Sequence, residues 1–328
     1  MGLFNIRRKG LLKLIGPLLL LLFIVKIVDP RVAIELLEKV RPDIVLMSIG
    51  LFPVIIAIRT FRWWIICRHL DMGTTFKQLF QTYYISWFVG ILPLSGVSVI
   101  SKIFYLKQDG KSAVTALLSI SLDKLFDIVG LIIFGFLGFI YFPKDLFDSR
   151  FLFALYGGLI FTVIMVLIFK KRVWAYFNGF LKKFLNKKFQ QLGRNLEKDL
   201  SGFWSSFTLR SFLVIMGLSI AIGLLRSFVL YVLAIALGMH ASFFMLIGCR
   251  ALIGVANILP ITVNGLGTRD AILLLTLPLS GFSREAALAL GFLAFLWAVC
   301  FKFSGIFFWL KHPLPSREVA TIKERFHP

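Results

Sequence analysis

Ile258-Leu259-Pro260-Ile261-Thr262-Val263-Asn264-Gly265-Leu266-Gly267 interrupts an apolar run that extends from 244 to 280. A proline inside a helix removes an amide donor and clashes with the preceding turn. The same happens earlier, where Ile91-Leu92-Pro93-Leu94-Ser95-Gly96 splits residues 78–106. Each break leaves apolar pieces of roughly 11 to 16 residues, short of the 20 or so that cross a bilayer core as helix. Two readings follow: a kinked span, or two half-helices that enter the membrane and return. Both breaks share Ile-Leu-Pro, then an aliphatic and a hydroxyl residue, then glycine. Each also has a cation nine residues beyond its proline, Lys102 after Pro93 and Arg269 after Pro260. This internal similarity favours two re-entrant hairpins. Non-helical backbone at membrane depth is tolerated where protein or a water-filled cavity satisfies it, and inverted repeats with broken helices are common in secondary transporters.

The rest of the chain reads as lipid-embedded. Of 328 residues 59% are hydrophobic and only 16% charged, with a mean hydropathy of +0.88; soluble domains carry about 25% charged residues. Six stretches are long enough to span: 10–28, 43–60, 113–141, 151–169, 211–238 and 284–310. The predicted fold is an all-α polytopic membrane protein, one integral domain over 1–328, with about six transmembrane helices and two oppositely oriented re-entrant hairpins.

The net charge of +21 would suggest nucleic acid in a soluble chain. Here the excess concentrates in residues 1–13, 59–77, 102–111, 170–210 and 311–328, while 29–43, 143–150 and 266–285 are near neutral. Alternating basic and neutral loops follow the positive-inside rule, so no nucleic-acid partner is expected. A single crossing by 78–106 would put the basic 102–111 outside, whereas a hairpin keeps it inside with 59–77. The expected placement is the cell membrane, multi-pass, with both termini cytoplasmic and the regions around Arg41 and Lys144 outside. Arg7, Arg8 and Lys9 precede the first apolar run with no small-x-small cleavage site after it, which reads as a retained signal anchor.

Residues 170–210, between the repeat halves, carry Trp174, Phe177, Leu181, Leu185, Phe189, Leu192, Leu196 and Phe203 near the helical period, with lysines off that stripe. That pattern predicts an amphipathic cytoplasmic helix lying on the anionic inner leaflet. Residues 311–328 form a short cytoplasmic tail. Cys67, Cys249 and Cys300 and the four histidines are scattered, so no disulfide framework, metal or cofactor is expected.

Ionisable residues inside spans cost at least about 2.5 kcal/mol each on insertion scales and mark candidate sites. Arg226 lies mid-span, Arg250 opens the first half of the second hairpin, and Asp123, Lys124 and Asp127 cluster in 113–141. Asp123 and Asp127 are four apart and share a helix face. The structural alternative is that Asp127 pairs with Arg226 or Arg250 and holds the bundle. Lys26 and Lys302, near span ends, read as snorkelling. Arg59, Arg62, Trp63 and Trp64 read as an interfacial anchor, or as an anionic-lipid contact.

Arg59-Thr60-Phe61-Arg62-Trp63-Trp64, Leu92-Pro93 with Gly96 and Lys102, Asp123-Lys124, and Leu259-Pro260-Ile261 with Gly265-Leu266-Gly267-Thr268-Arg269-Asp270 together resemble one family. It is the lysylphosphatidylglycerol synthase transmembrane region, also called the flippase-like domain family, and the resemblance covers nearly the whole chain. Family members commonly carry Arg near Lys102, an acid-Arg pair at Asp123-Lys124, Gly-Gly at Asn264-Gly265 and Arg-Glu at Arg269-Asp270. An Arg-to-Lys exchange loses bidentate phosphate geometry, so the substrate does not carry over with the fold. Bifunctional members append a soluble aminoacyl-transferase domain; with the last span ending near Leu310, none is expected here, and no enzymatic activity.

The resemblance implies a lipid transporter or flippase-like protein for a phospholipid or polyprenyl-phosphate-linked lipid. Headgroup contacts are expected from Lys102, Arg226, Arg250 and Arg269, balanced by Asp123, Asp127 and Asp270, with Lys124, Asn257, Asn264, Arg59 and Arg62 as further candidates. Pro93, Gly96, Pro260, Gly265 and Gly267 form the hairpin breaks, whose following helix N-termini offer free N–H groups. The second reading is an accessory membrane subunit presenting a lipid-linked substrate to a separate glycosyltransferase. A lipid-phosphate enzyme comes third, since the sequence shows no Walker loop, His-rich phosphatase pattern or Cys/His metal set.

Overall fold

A computed structural model describes residues 30–91, 97–139, 157, 187–257 and 267–311. Among the described residues regular structure is helical throughout. The helices are α1 (Pro30–Glu38), α2 (Pro42–Met47), α3 (Leu51–His69), α4 (Phe76–Val89), α5 (Val97–Gln108), α6 (Ala113–Phe139), α7 (Lys187–Ser206), α8 (Leu209–Ala236), α9 (Phe243–Ala256), α10 (Thr268–Thr276), α11 (Arg284–Phe303) and α12 (Ile306–Lys311).

Among the described residues three stretches of 28 residues are long and apolar enough to cross a membrane: Pro42–His69, Leu209–Ala236 and Arg284–Lys311. At 1.5 Å per residue each covers about 42 Å, more than a hydrocarbon core of roughly 30 Å. Helix α6, at 27 residues, matches them in length but carries Asp123, Lys124 and Asp127. The predicted spans 10–28 and, apart from residue 157, 151–169 lie outside the described residues, as do Lys26, Pro93, Gly96, Pro260, Asn264, Gly265 and the tail beyond Lys311.

Capping explains several starts. Thr75 accepts from the Gln78 amide at 3.3 Å while the Gln78 side chain accepts from the Thr75 amide at 2.9 Å, so α4 opens on a reciprocal capping box. Thr208 and Ser283 cap α8 and α11 the same way from one side.

The elements repeat in order. Helices α3–α4–α5–α6 have 19, 14, 12 and 27 residues, and α8–α9–α10–α11 have 28, 14, 9 and 20. Each half thus runs long, short, short, long, and within each half the two short helices pack against one another. Across the halves α3 packs on α8, and α6 on α9. Each half also has its own core. Ile56, Trp63, Leu79, Tyr83 and Leu106 bury together in the first, and Leu233, Leu246, Leu273, Ala287 and Leu290 in the second. Leu209, Leu213, Leu275 and Phe307 are exposed, as befits helix faces turned to acyl chains.

Helix α7 corrects one expectation. Its predicted stripe was assigned to the headgroup boundary, yet Phe203 is wholly buried against Ile66, Leu118, Leu122 and Phe126, with Leu200 and Trp204 packed alongside. Protein from α3 and α6 covers this part of the stripe, because their cytoplasmic-predicted ends leave an apolar patch that α7 fills.

Candidate functional site

The interior of the first half is built on a charge quartet. Arg59 and Arg62 lie three apart on α3, and Asp123 and Asp127 four apart on α6, so each pair presents one helix face to the other. Arg62 is fully buried and meets Asp123 and Asp127 at 2.7 Å each. It also donates to Ser219 Oγ on α8 at 2.9 Å and to the Asp123 carbonyl at 3.2 Å. Arg59 Nη2 reaches Asp127 at 2.8 Å. Two formal positive charges therefore face two negative ones. Such pairing, with the further Arg62 donors bonded to Ser219 and the Asp123 carbonyl, offsets the desolvation that buried ions suffer.

This corrects two expectations. Arg59, Arg62 and Trp63 are core residues rather than an interfacial anchor: Trp63 is wholly buried and its indole N–H donates to Ser119. Asp127 pairs with Arg59 and Arg62, not with Arg226 or Arg250. A helix continues through Arg59 to His69, and the acids that retain these arginines in the interior lie more than 60 residues away in the chain.

Beside the quartet lies a cavity of about 700 Å³. Its apolar lining includes Phe52, Ile55, Leu131, Phe134, Leu230 and Trp297. Among the described residues its charged lining is Arg59, Lys124, Arg226, Arg250, Arg269 and Lys302 against the single carboxylate Asp127, with Asn257 among the polar groups. Arg59 spends one nitrogen on Asp127, and its buried Nε has no hydrogen-bond partner among the described residues. Arg226 lies within electrostatic reach of Arg250, and Arg250 of Arg269, so the lining repels itself when empty.

Arg269 enters this lining from the first turn of α10. Gly267 precedes it at φ +95°, a conformation that favours glycine. The Gly267 amide donates to Asp270 Oδ2 at 2.9 Å, and Arg269 meets Asp270 Oδ1 at 3.3 Å. The amide preceding α10, expected as a free donor for a ligand, is thus already taken by Asp270.

Of the sequence-predicted residues, Arg59, Lys124, Asp127, Arg226, Arg250, Asn257 and Arg269 share the cavity wall. Arg62, Asp123 and Asp270 stand behind it as charge partners. Lys102 does not share it. It is buried on α5 with Nζ 3.7 Å from the Tyr83 ring centroid and 4.7 Å from that of Trp63, a cation held by aromatic faces. Its match in sequence position to Arg269 is therefore not a match in site. Lys302, read as snorkelling, lines the cavity because α11 ends there. Ser219 and Trp297 carried no signal in the sequence. Among the described residues no group of three His, Cys, Asp or Glu converges as a metal would need.

Apolar membrane-length helices around a cation-lined cavity define a membrane-embedded, all-helical protein. A family model, the lysylphosphatidylglycerol synthase TM region, matches residues 10–302, and the chain belongs to that family. The membership links it to lipid metabolism. No curated protein and no solved structure gave a significant match.

Proposed function

We propose that this protein binds a phosphate-bearing lipid in the cavity and moves it across the cell membrane without altering its covalent structure. The observation that carries the reading is the lining itself, where the described residues place six cations and one carboxylate among aliphatic and aromatic side chains. An amphiphile satisfies both parts. Its phosphate compensates the cations, and its chain roots meet Phe52, Leu131 and Phe134.

In this reading the short pairs α4–α5 and α9–α10 are the two re-entrant hairpins, entering from opposite faces, and the packing of the two helices within each pair supports the hairpins. At about 21 Å the longest of the four is too short to cross alone.

The test is reconstitution of the purified chain in vesicles with headgroup-labelled phospholipid or isoprenyl phosphate, scoring loss of label to an impermeant quencher. Movement faster than in protein-free vesicles, and slowed by Arg250→Gln, is expected. Protein-free rates for every lipid would overturn transport.

A further inference from the structure

The charge balance of the cavity narrows the ligand, and the argument rests on the lipid-binding reading above. The quartet of Arg59, Arg62, Asp123 and Asp127 balances internally, and so does the Arg269–Asp270 pair. Arg226 and Arg250 remain. Both line the cavity, and neither has a hydrogen bond or ion pair among the described residues. Segments 92–96 and 258–266, which join the short helices of each hairpin, contain no Asp or Glu. Lys302 and Lys124 add positive charge to the same wall, and Asp127, its one carboxylate, is already shared by two arginines.

A phosphodiester headgroup carries one negative charge and would leave one of these arginines uncompensated in a site of low dielectric. A phosphomonoester carries about −1.5 to −2 near neutral pH, with a second pKa of about 6, and a diphosphate carries more. Their terminal oxygens also suit two guanidinium forks at once. We infer that the cavity selects lipids whose headgroup bears two or more negative charges, a terminal phosphomonoester or diphosphate, over phosphodiester lipids.

The test is a binding titration of the purified full-length chain with isoprenyl monophosphate, isoprenyl diphosphate, phosphatidic acid, phosphatidylglycerol and phosphatidylcholine. Near neutral pH the first three should bind about tenfold or more tighter than phosphatidylglycerol. At about pH 5 the monophosphate advantage should collapse as its dianion takes up a proton, while the diphosphate keeps its own. Of the lining groups, Asp127 on α6, Lys124 on α6 and Lys302 on α11 are the titratable ones, and they face every ligand of the series alike. Arg226→Gln or Arg250→Gln should cost the dianionic lipids about tenfold and phosphatidylglycerol little.

Equal affinity for phosphatidylglycerol and phosphatidic acid would overturn the selectivity and leave lipid binding standing. Binding of no lipid would overturn the lipid reading itself. Inorganic phosphate and pyrophosphate form a separate arm, and competition by them as strong as by the lipids would assign the site to a soluble anion and overturn both. The wild-type ligand series decides the matter even if a variant fails to fold.

Discussion

Arg62 touches no solvent, yet its guanidinium reaches two carboxylates, a carbonyl and a hydroxyl on two other helices. Removing it leaves Asp123 without its cation and Asp127 with Arg59 and the more distant Lys124, 3.8 Å away. Breaking a buried pair from one side costs about 3–5 kcal/mol. Arg62→Ala is therefore expected to lose most of its monodisperse yield and melt well below wild type, as followed by size-exclusion chromatography after heating. Arg62→Lys should recover little, because one ammonium replaces a planar fork. A wild-type melting curve for Arg62→Ala would show that the quartet does not hold the fold. The residues of this quartet were legible in the sequence one by one, but not their partnership. Arg-Thr-Phe-Arg-Trp-Trp after an apolar run is what a headgroup anchor looks like, and only the matching spacings, cations three apart and acids four apart on two helices, hint at a paired interior.

At the scale of the element, close approaches decide where helices cross. A Cβ at Gly305, in the turn between α11 and α12, would run into the backbone carbonyl of Tyr84 on α4. One at Gly254 on α9 would meet the tip of Leu131 on α6. A leucine tip can rotate away and a helix carbonyl cannot, so Gly305→Ala should be the costlier change, about 1–3 kcal/mol for overpacking, with Gly254→Ala below it. Thermal melting of the two variants checks the order, and an equal or reversed order would mean that α12 moves freely against α4. Helix existence was readable from apolar length, and α6, α8 and the α11–α12 stretch match 113–141, 211–238 and 284–310 within a few residues. Which face a helix turns to protein was less so. Periodicity separates an apolar stripe from a polar one, but lipid and protein both accept Phe203, and only the patch on α3 and α6 decides between them.

For the whole molecule, orientation follows from loop charge, and the structure changes that map. Arg59, Arg62 and Lys102 count as loop residues by sequence but are buried, so the cytoplasmic assignment leans on 1–13, 170–210 and the exposed lysines and arginine left beside α3 and α5. With Cys300→Ser in place, since Cys67 and Cys249 are buried and Cys300 is exposed, Arg41→Cys should react with an impermeant maleimide in intact cells. Lys198→Cys, also exposed, should react only after permeabilisation; the opposite pattern would invert the topology and the hairpin entry faces with it. The quartet has a further bearing on how the chain reaches the membrane at all. Arg59 and Arg62 leave the ribosome 61 to 68 residues ahead of their acids, a lag of roughly 3–14 s at ordinary elongation rates. During that interval α3 carries two unpaired arginines at an insertion cost of about 2.5–3.5 kcal/mol apiece. Biogenesis of α3 is thus expected to run in two stages: it waits at the interface or in the translocon until α6 is made, and the charges of the quartet cancel as the two helices enter the bilayer together.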